Sequence, residues 1–113
     1  MKPSEQLIAK LEEDLALKRS RIEKHAASID ALADMLERAQ LSCKIDCNVG
    51  LNDRVHILPR EGTEPEVIDW LLQSGFVLTS KVRDRYDHCY FSHPTLSCGV
   101  TLLVPIPVVA EAA

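Results

Sequence analysis

The stretch that decides the fold is residues 8–39, which read IAKLEEDLALKRSRIEKHAASIDALADMLERA. Apolar residues recur in it at alternating steps of three and four, the heptad pattern of a coiled-coil helix whose positions a and d face a partner. Because a seam of this length needs a second helix against it, the sequence predicts a homo-oligomer, most simply a dimer. The predicted interface runs through Ile8, Leu11, Leu15, Lys18, Ile22, His25, Ile29, Leu32 and Leu36, and Ala39 ends the repeat.

Two positions in this seam are polar, Lys18 and His25, and both fall at d. In a parallel in-register dimer each would face its own copy, whereas an antiparallel pairing centred between Ile22 and His25 would avoid both contacts. A parallel pair would bring Asp14 toward Arg19 of the partner helix, which is a favourable contact. Both orientations stay open here, as does a helix that folds back on its own domain. His25 would be a tolerated polar gap or a group that loosens the coil when it is protonated.

The helix is expected to run from an N-cap at Ser4 to Gln40, because this stretch contains neither glycine nor proline. In its second half, small and apolar residues widen the stripe beyond the seam. A wider stripe indicates more than one neighbour, so this half is predicted to pack on the globular domain as well as on a partner. The widening residues are Ala26, Ala27, Ala31, Ala33 and Met35.

The remainder of the chain predicts a small α+β domain. Residues 41–49 alternate apolar and polar side chains, as half-buried strands do, and residues 54–58 read as a second strand, so the two are expected to form a hairpin. Three further strands are predicted at residues 76–82, 88–92 and 100–104. The fold class is therefore α+β: a long N-terminal coiled-coil helix followed by a small mostly antiparallel sheet with one packed helix, in the order ββαβββ.

The helix between the second and third strands has its own start and stop signals. Thr63 and Glu66 form a capping-box pattern around Pro65, and Gly75 is placed to end the helix. Trp70, the single tryptophan, is expected to anchor this helix to the sheet. The chain thus divides into an oligomerisation helix at residues 1–40, an α+β domain at residues 41–104 and an extended or disordered tail at residues 105–113.

Composition limits the function classes. The 113 residues are 46% hydrophobic and 27% charged with a net charge of −4, which favours a folded domain and lacks the basic excess of a dedicated nucleic-acid binder. The longest apolar stretch, residues 100–110, contains Pro105 and Pro107 and falls short of the roughly 20 residues that span a bilayer. No apolar leader pattern opens the chain. We therefore expect a cytoplasmic protein that does not engage a membrane.

Candidate chemistry is sparse. His88 and Cys89 are neighbours in a predicted strand, so their side chains point to opposite faces and cannot act as base and nucleophile. Cys43 and Cys47 would lie about 13 Å apart in a strand, too far for a disulfide or a shared zinc ion. No spacing typical of a zinc site is present. We expect no catalytic residues, no metal and no cofactor.

Two short segments are candidate partner-binding sites. Lys81, Arg83 and Arg85 surround a predicted hairpin turn, where they could contact a protein or phosphates. The tail triplet Ile106-Pro107-Val108 resembles the I-x-I/V docking peptide of small heat-shock proteins, in which an extended tail fills an apolar groove on a neighbouring subunit. The domain before it is too short and too helical for an α-crystallin sandwich, so the function of that family is not carried over. Ile106 and Val108 stay docking candidates because an extended, proline-stiffened apolar segment is cheap to order and can dock along a sheet edge or groove. The alternative is a final edge strand followed by a flexible end.

Two functions are compatible with these observations. The first is a homo-oligomeric, non-enzymatic binding protein that acts as an inhibitor, adaptor or regulator of another protein. The alternative is a nucleic-acid-associated regulator that uses the basic hairpin turn.

Overall fold

A long helix, a five-stranded mixed sheet and a short helix make up the fold, which the computed structural model describes for residues 2–46 and 53–106. This order confirms the predicted α+β class. The elements are α1 (Pro3–Arg38), β1 (Cys43–Asp46), β2 (Arg54–Pro59), α2 (Glu64–Gln73), β3 (Val77–Arg83), β4 (Tyr86–Ser92) and β5 (Gly99–Pro105).

The strands lie side by side in the order β1-β2-β5-β4-β3. The pairs β1/β2, β3/β4 and β4/β5 are antiparallel, and β2/β5 is parallel, so the prediction of a mostly antiparallel sheet is confirmed. The parallel pair arises because the chain crosses over through α2 and the β3–β4 hairpin before β5 returns beside β2. Residues 47–49 of the predicted first strand lie outside the described residues.

One face of the sheet carries the hydrophobic core. Side chains alternate between the faces of a strand, so every second residue of β2, β4 and β5 points to the same side. Both helices of the described chain pack on this side, and the predicted contact between the second half of α1 and the domain is confirmed. We call the opposite side the open face. The core includes Ile29, Leu32, Leu36, Val55, Ile57, Val67, Leu71, Phe91, Val100 and Leu102.

The start of α1 differs from the expected N-cap at Ser4. The helix begins at Pro3 and its N-cap is Lys2, whose backbone N–H donates to Glu5 Oε2 at 3.4 Å. Proline suits the first helical position because its missing N–H would have had no partner there, and its fixed φ already matches the helix. The geometry of Pro3 therefore prevails over the capping tendency of Ser4.

The end of α1 is a turn that usually requires glycine. Gln40 has φ of +59°, its N–H donates to the carbonyl of Glu37, and the N–H of Leu41 donates to the carbonyl of Leu36. These two hydrogen bonds satisfy carbonyls that the last helical turn leaves unpaired, and they turn the chain toward β1. A side chain with a Cβ atom is strained in this left-handed conformation.

Replacing Gln40 with glycine is expected to raise the free energy of unfolding by about 1 kcal/mol, because glycine adopts positive φ without steric cost. Urea denaturation of the Gln40→Gly variant measures the change. Ala39 is the matched control, since it has φ of −79° in the right-handed region. Ala39→Gly should therefore lower stability, and a gain in both variants would contradict the assignment of strain to Gln40.

The short helix α2 lacks the predicted capping box. Thr63 is the N-cap, but its Oγ1 donates to the carbonyl of Arg60 at 2.6 Å instead of accepting from the helix. The tight turn before α2 places that carbonyl within reach, and this contact replaces the cap. The predicted end is confirmed, since Gly75 has φ of +92° and Phe76 N–H donates to Leu71. Trp70 packs against the core as expected, with its ring 5.9 Å from Phe76.

Candidate interaction surfaces

The first half of α1, residues 3–22, carries an apolar seam that residues 2–46 and 53–106 of its own chain leave exposed. We call this segment the outer half. Ile8, Leu11 and Leu15 are 56%, 58% and 57% exposed, and Ile22 is 36% exposed. Lys18, which completes the seam, is also exposed. At 1.5 Å per residue this segment is about 30 Å long, and it presents the heptad positions that the sequence predicts for a partner helix.

The second half of α1, residues 25–38, is here called the inner half. Its part of the heptad seam packs on its own domain. Ile29, Leu32 and Leu36 are buried in the core of their own domain, and His25 is only 2% exposed. These four predicted interface residues therefore contact the sheet side of their own chain. While this packing lasts they are inaccessible to a second helix, so the predicted interface is divided between residues 22 and 25.

A cluster of polar contacts lies at this division. His25 Nδ1 is 2.7 Å from Ser97 Oγ, and its Nε2 is 3.2 Å from Asp53 Oδ1. Ser28 Oγ accepts the Ser97 N–H at 2.8 Å, and Lys24 Nζ is 3.7 Å from Asp53 Oδ2. We call these residues the polar clamp, because they tie α1 to the loop before β5 and to the start of β2. Sequence analysis missed the clamp, since its members are far apart in the chain and no local pattern marks Ser97.

The clamp also contains the connectivity of a hydrolase triad. The Asp53 carboxylate can only accept, so in neutral His25 the proton belongs on Nε2 and Nδ1 accepts the Ser97 hydroxyl proton. A hydrolase would further need a donor for the oxyanion that forms on the substrate carbonyl when the serine attacks it. The backbone N–H of Ser97, a natural donor for that role, already donates to Ser28 Oγ. We interpret the group as a structural clamp.

Two carboxylates should make the fold sensitive to acid. The His25 ring, whose Nε2 is 3.2 Å from Oδ1 of Asp53, and then Lys24 hold the pKa of Asp53 below its usual value, and the Arg83 guanidinium does the same for the pKa of Asp87. A lowered folded-state pKa contributes stability that is present above pH of about 4 and is lost as the pH falls through the folded value. We expect the melting temperature to fall below pH 4, and Asp53→Asn and Asp87→Asn each to flatten that profile. A profile unchanged in both variants would contradict these contacts.

The predicted basic hairpin is only partly available to a partner. Arg83 donates from Nε and Nη2 to the two carboxylate oxygens of Asp87 at 2.8 and 3.0 Å, and Lys81 Nζ lies 3.7 Å from the same carboxylate. Asp87 is buried, and its hydrogen bond and negative charge raise the pKa of Arg83. All three side chains of the triad are exposed, and Arg85 lies at the turn. Asp87 therefore compensates part of the positive charge that this hairpin could offer to a phosphate.

The remaining candidate residues do not gather into a site. Burial raises the pKa of the Cys89 thiol, which opposes a nucleophilic role, while His88 points to the open face. His93 contacts Ser74 and Thr95 instead of either residue. Within residues 2–46 and 53–106 there is no cluster of three or more histidine, cysteine, aspartate or glutamate side chains that could hold a metal ion.

The tail candidates lie at and beyond the end of β5. Strand β5 extends through Pro105, one residue further than predicted, and Ile106 is half-buried directly after it. Val108 lies outside the described residues. The docking role of both residues stays a prediction.

Comparison with known proteins finds no relative: no protein-family model, no curated protein and no solved structure matches this chain. In the part of the chain that the structure describes, neither helix is both long and apolar enough to cross a membrane. Geometry and sequence pattern therefore carry the functional argument.

Proposed function

We propose that the protein is a non-enzymatic homodimer that acts as an inhibitor, adaptor or regulator of another protein, and that the outer half of α1 forms its coiled coil. The observation that carries this proposal is the exposed seam of Ile8, Leu11, Leu15 and Ile22 on a helix that projects from its own domain. Apolar side chains at heptad positions are stabilised when a second helix removes them from water. The outer half of a second copy is the surface with the matching pattern.

The division of the seam favours a parallel dimer. The antiparallel pairing centred between Ile22 and His25 would need Ile29 to face the partner helix, but Ile29 is packed in its own core. A parallel pair confined to the outer half has no such requirement, and it brings Asp14 toward Arg19 of the partner. The facing Lys18 side chains can extend along the coil into water, which limits their cost.

A parallel dimer would display two copies of one small sheet at the same end of the coil. Two linked copies bind a symmetric or repeated target more tightly than one, because the second contact becomes intramolecular. This arrangement suits an adaptor or inhibitor and requires no catalytic group. The nucleic-acid alternative has less support, because Asp87 engages Lys81 and Arg83.

Sedimentation equilibrium tests the oligomeric state. We expect a dimer at tens of micromolar, and a monomer at that concentration would refute the proposal. Orientation can be read from Leu11→Cys, because position d of a parallel in-register coil places the two introduced thiols side by side. Mild oxidation should then produce a covalent dimer on a non-reducing gel, whereas the parent protein with its own cysteines serves as the control.

Affinity capture with and without nuclease tests the class of partner. A protein partner retained after nuclease treatment, and held more weakly by a monomeric variant, would support the adaptor or inhibitor role. Partners lost on nuclease treatment would favour the nucleic-acid-associated regulator instead.

A further inference from the structure

An arginine crosses the centre of the open face. Arg54 pairs with Gly99 in the β2/β5 ladder, and its guanidinium lies 4.6 Å from the ring centroid of Tyr90 on β4. It reaches over β5 through the space left by glycine, since a Cβ at Gly99 would lie 2.8 Å from Arg54 Nη1. The cation–π contact and the glycine gap together hold the guanidinium in one place.

This guanidinium has no carboxylate partner among the described residues. Arg54 Nη1 is buried and finds no hydrogen-bond acceptor, and neither does the buried Thr101 Oγ1, which points to the same face. A charged side chain usually remains half-buried only when its charge is compensated. By contrast Arg83, on the other face, has both oxygens of Asp87. Arginine pairs with carboxylates through two parallel hydrogen bonds, so an acidic group that reached this guanidinium would compensate its charge.

The surroundings of Arg54 resemble the centre of a protein interface. Tyr, Arg and apolar side chains are enriched in such centres, and charged residues other than arginine are depleted. The rings of His88 and Tyr90 lie 6.5 Å apart at an angle of 26°. Besides Arg54, the charged strand residues on this face are Lys44 and Asp46, and both lie at the β1 edge. The exposed apolar side chains on this face are Leu58, Val77, Val82 and Tyr86.

We propose that the open face is the surface that holds the protein partner, and that Arg54 receives a carboxylate from an acidic side chain of that partner flanked by apolar residues. This inference rests on the proposed binding function and names its site. A single-stranded nucleic acid fits less well, because phosphate binding draws on many cations. Lys81 and Arg83 pair with Cys89 and Asp87 and so point away from this face.

The probe is acetate, the simplest carboxylate, followed by NMR at the side-chain Nε–Hε signal of Arg54 and the ring signals of His56, whose strand position is opposite Thr101. Sodium acetate is titrated against sodium chloride at equal ionic strength. We expect acetate to shift the Arg54 and His56 signals in a saturable way, and chloride not to. Inorganic phosphate and a ten-residue oligothymidine are titrated in parallel.

Two variants distinguish the effect of the position of the Arg54 guanidinium from the effect of its positive charge alone. Arg54→Gln removes the donor, and Gly99→Ala keeps the positive charge while displacing the side chain that lies against residue 99. Both variants should weaken acetate binding, read from the His56 signals, by about tenfold in affinity. This is the scale of one charge-assisted hydrogen bond. Arg85→Gln is the matched control, because it makes the same charge change at an exposed turn, and it should leave the shift unaltered.

Each other outcome overturns the inference. Equal shifts with chloride, or equal loss in the Arg85→Gln control, would mean nonspecific screening. Tighter binding of the oligothymidine than of acetate would indicate that the open face binds nucleic acid instead of a protein. The proposed dimer is tested separately by sedimentation of the same samples, and a monomeric variant should still bind acetate because the site lies within one chain. Failure of one proposal is therefore distinguishable from failure of the other.

Discussion

Replacing Leu11 and Leu15 with aspartate is expected to convert the proposed dimer into a folded monomer. Both side chains are more than half exposed in the single chain, so the substitutions remove nothing from the core. In a coiled coil each introduced carboxylate would be buried against an apolar partner at a cost of several kcal/mol, which exceeds what a short seam contributes. Sedimentation equilibrium should report half the parent mass, while near-UV circular dichroism stays unchanged.

Leu17→Asp is the matched control for this experiment. Leu17 lies on the same helical segment and is 50% exposed, but it occupies heptad position c, outside the seam. It should leave the mass unaltered. A dimer that survives the double substitution at Leu11 and Leu15 would place the interface elsewhere on the molecule, and loss of the dimer in Leu17→Asp would show that any acidic substitution suffices.

Leu32→Ala is expected to cost about 3 kcal/mol in the free energy of unfolding, within the range of 2–5 kcal/mol for a leucine lost from a packed core. Leu32 belongs to the same heptad seam as Leu11, yet it is fully buried in its own domain, with 0% exposed. Urea denaturation at a fixed protein concentration measures the loss. The fluorescence of Trp70, which packs against the same core, reports the transition.

Leu17→Ala provides the comparison on the same helix. An exposed leucine outside the seam should change stability by less than about 0.5 kcal/mol. If Leu32→Ala were equally mild, the inner half of α1 would not be packed on the sheet as described. The two substitutions differ only in the environment of the side chain, so their difference isolates the contribution of the core.

One heptad repeat thus has two partners, the sheet of its own chain and, as proposed, the helix of a second copy. The same spacing of apolar residues suits both, because a stripe at positions a and d can pack on another helix or on a pleated surface. The polar clamp of Lys24, His25, Ser28, Asp53 and Ser97 lies between the part of the helix that packs on the sheet and the part proposed to pack on a second copy. Its hydrogen bonds exist only when the inner half is packed on its own domain.

Local chemistry determined much of this fold from the sequence alone. The heptad spacing over residues 8–39 predicts α1, the alternating residues predict the strands, and Gly75 predicts the end of α2. These signals are reliable because hydrophobic period and positive φ are properties of neighbouring residues. Where Pro3 and Ser4 competed to start α1, and where the Arg60 carbonyl drew the Thr63 hydroxyl away from a cap, the outcome depended on geometry that the sequence does not display.

Only the tertiary structure decided which surfaces are buried and which are open. Heptad spacing is identical before and after His25, so it could not show that Leu32 faces the core while Leu11 faces water. The placement of β5 between β2 and β4 brings Arg54 over Gly99 and onto Tyr90, and it brings Ser97 to His25. These pairs are 36 to 72 positions apart in the chain, and contacts across such separations follow from topology, which no local pattern encodes.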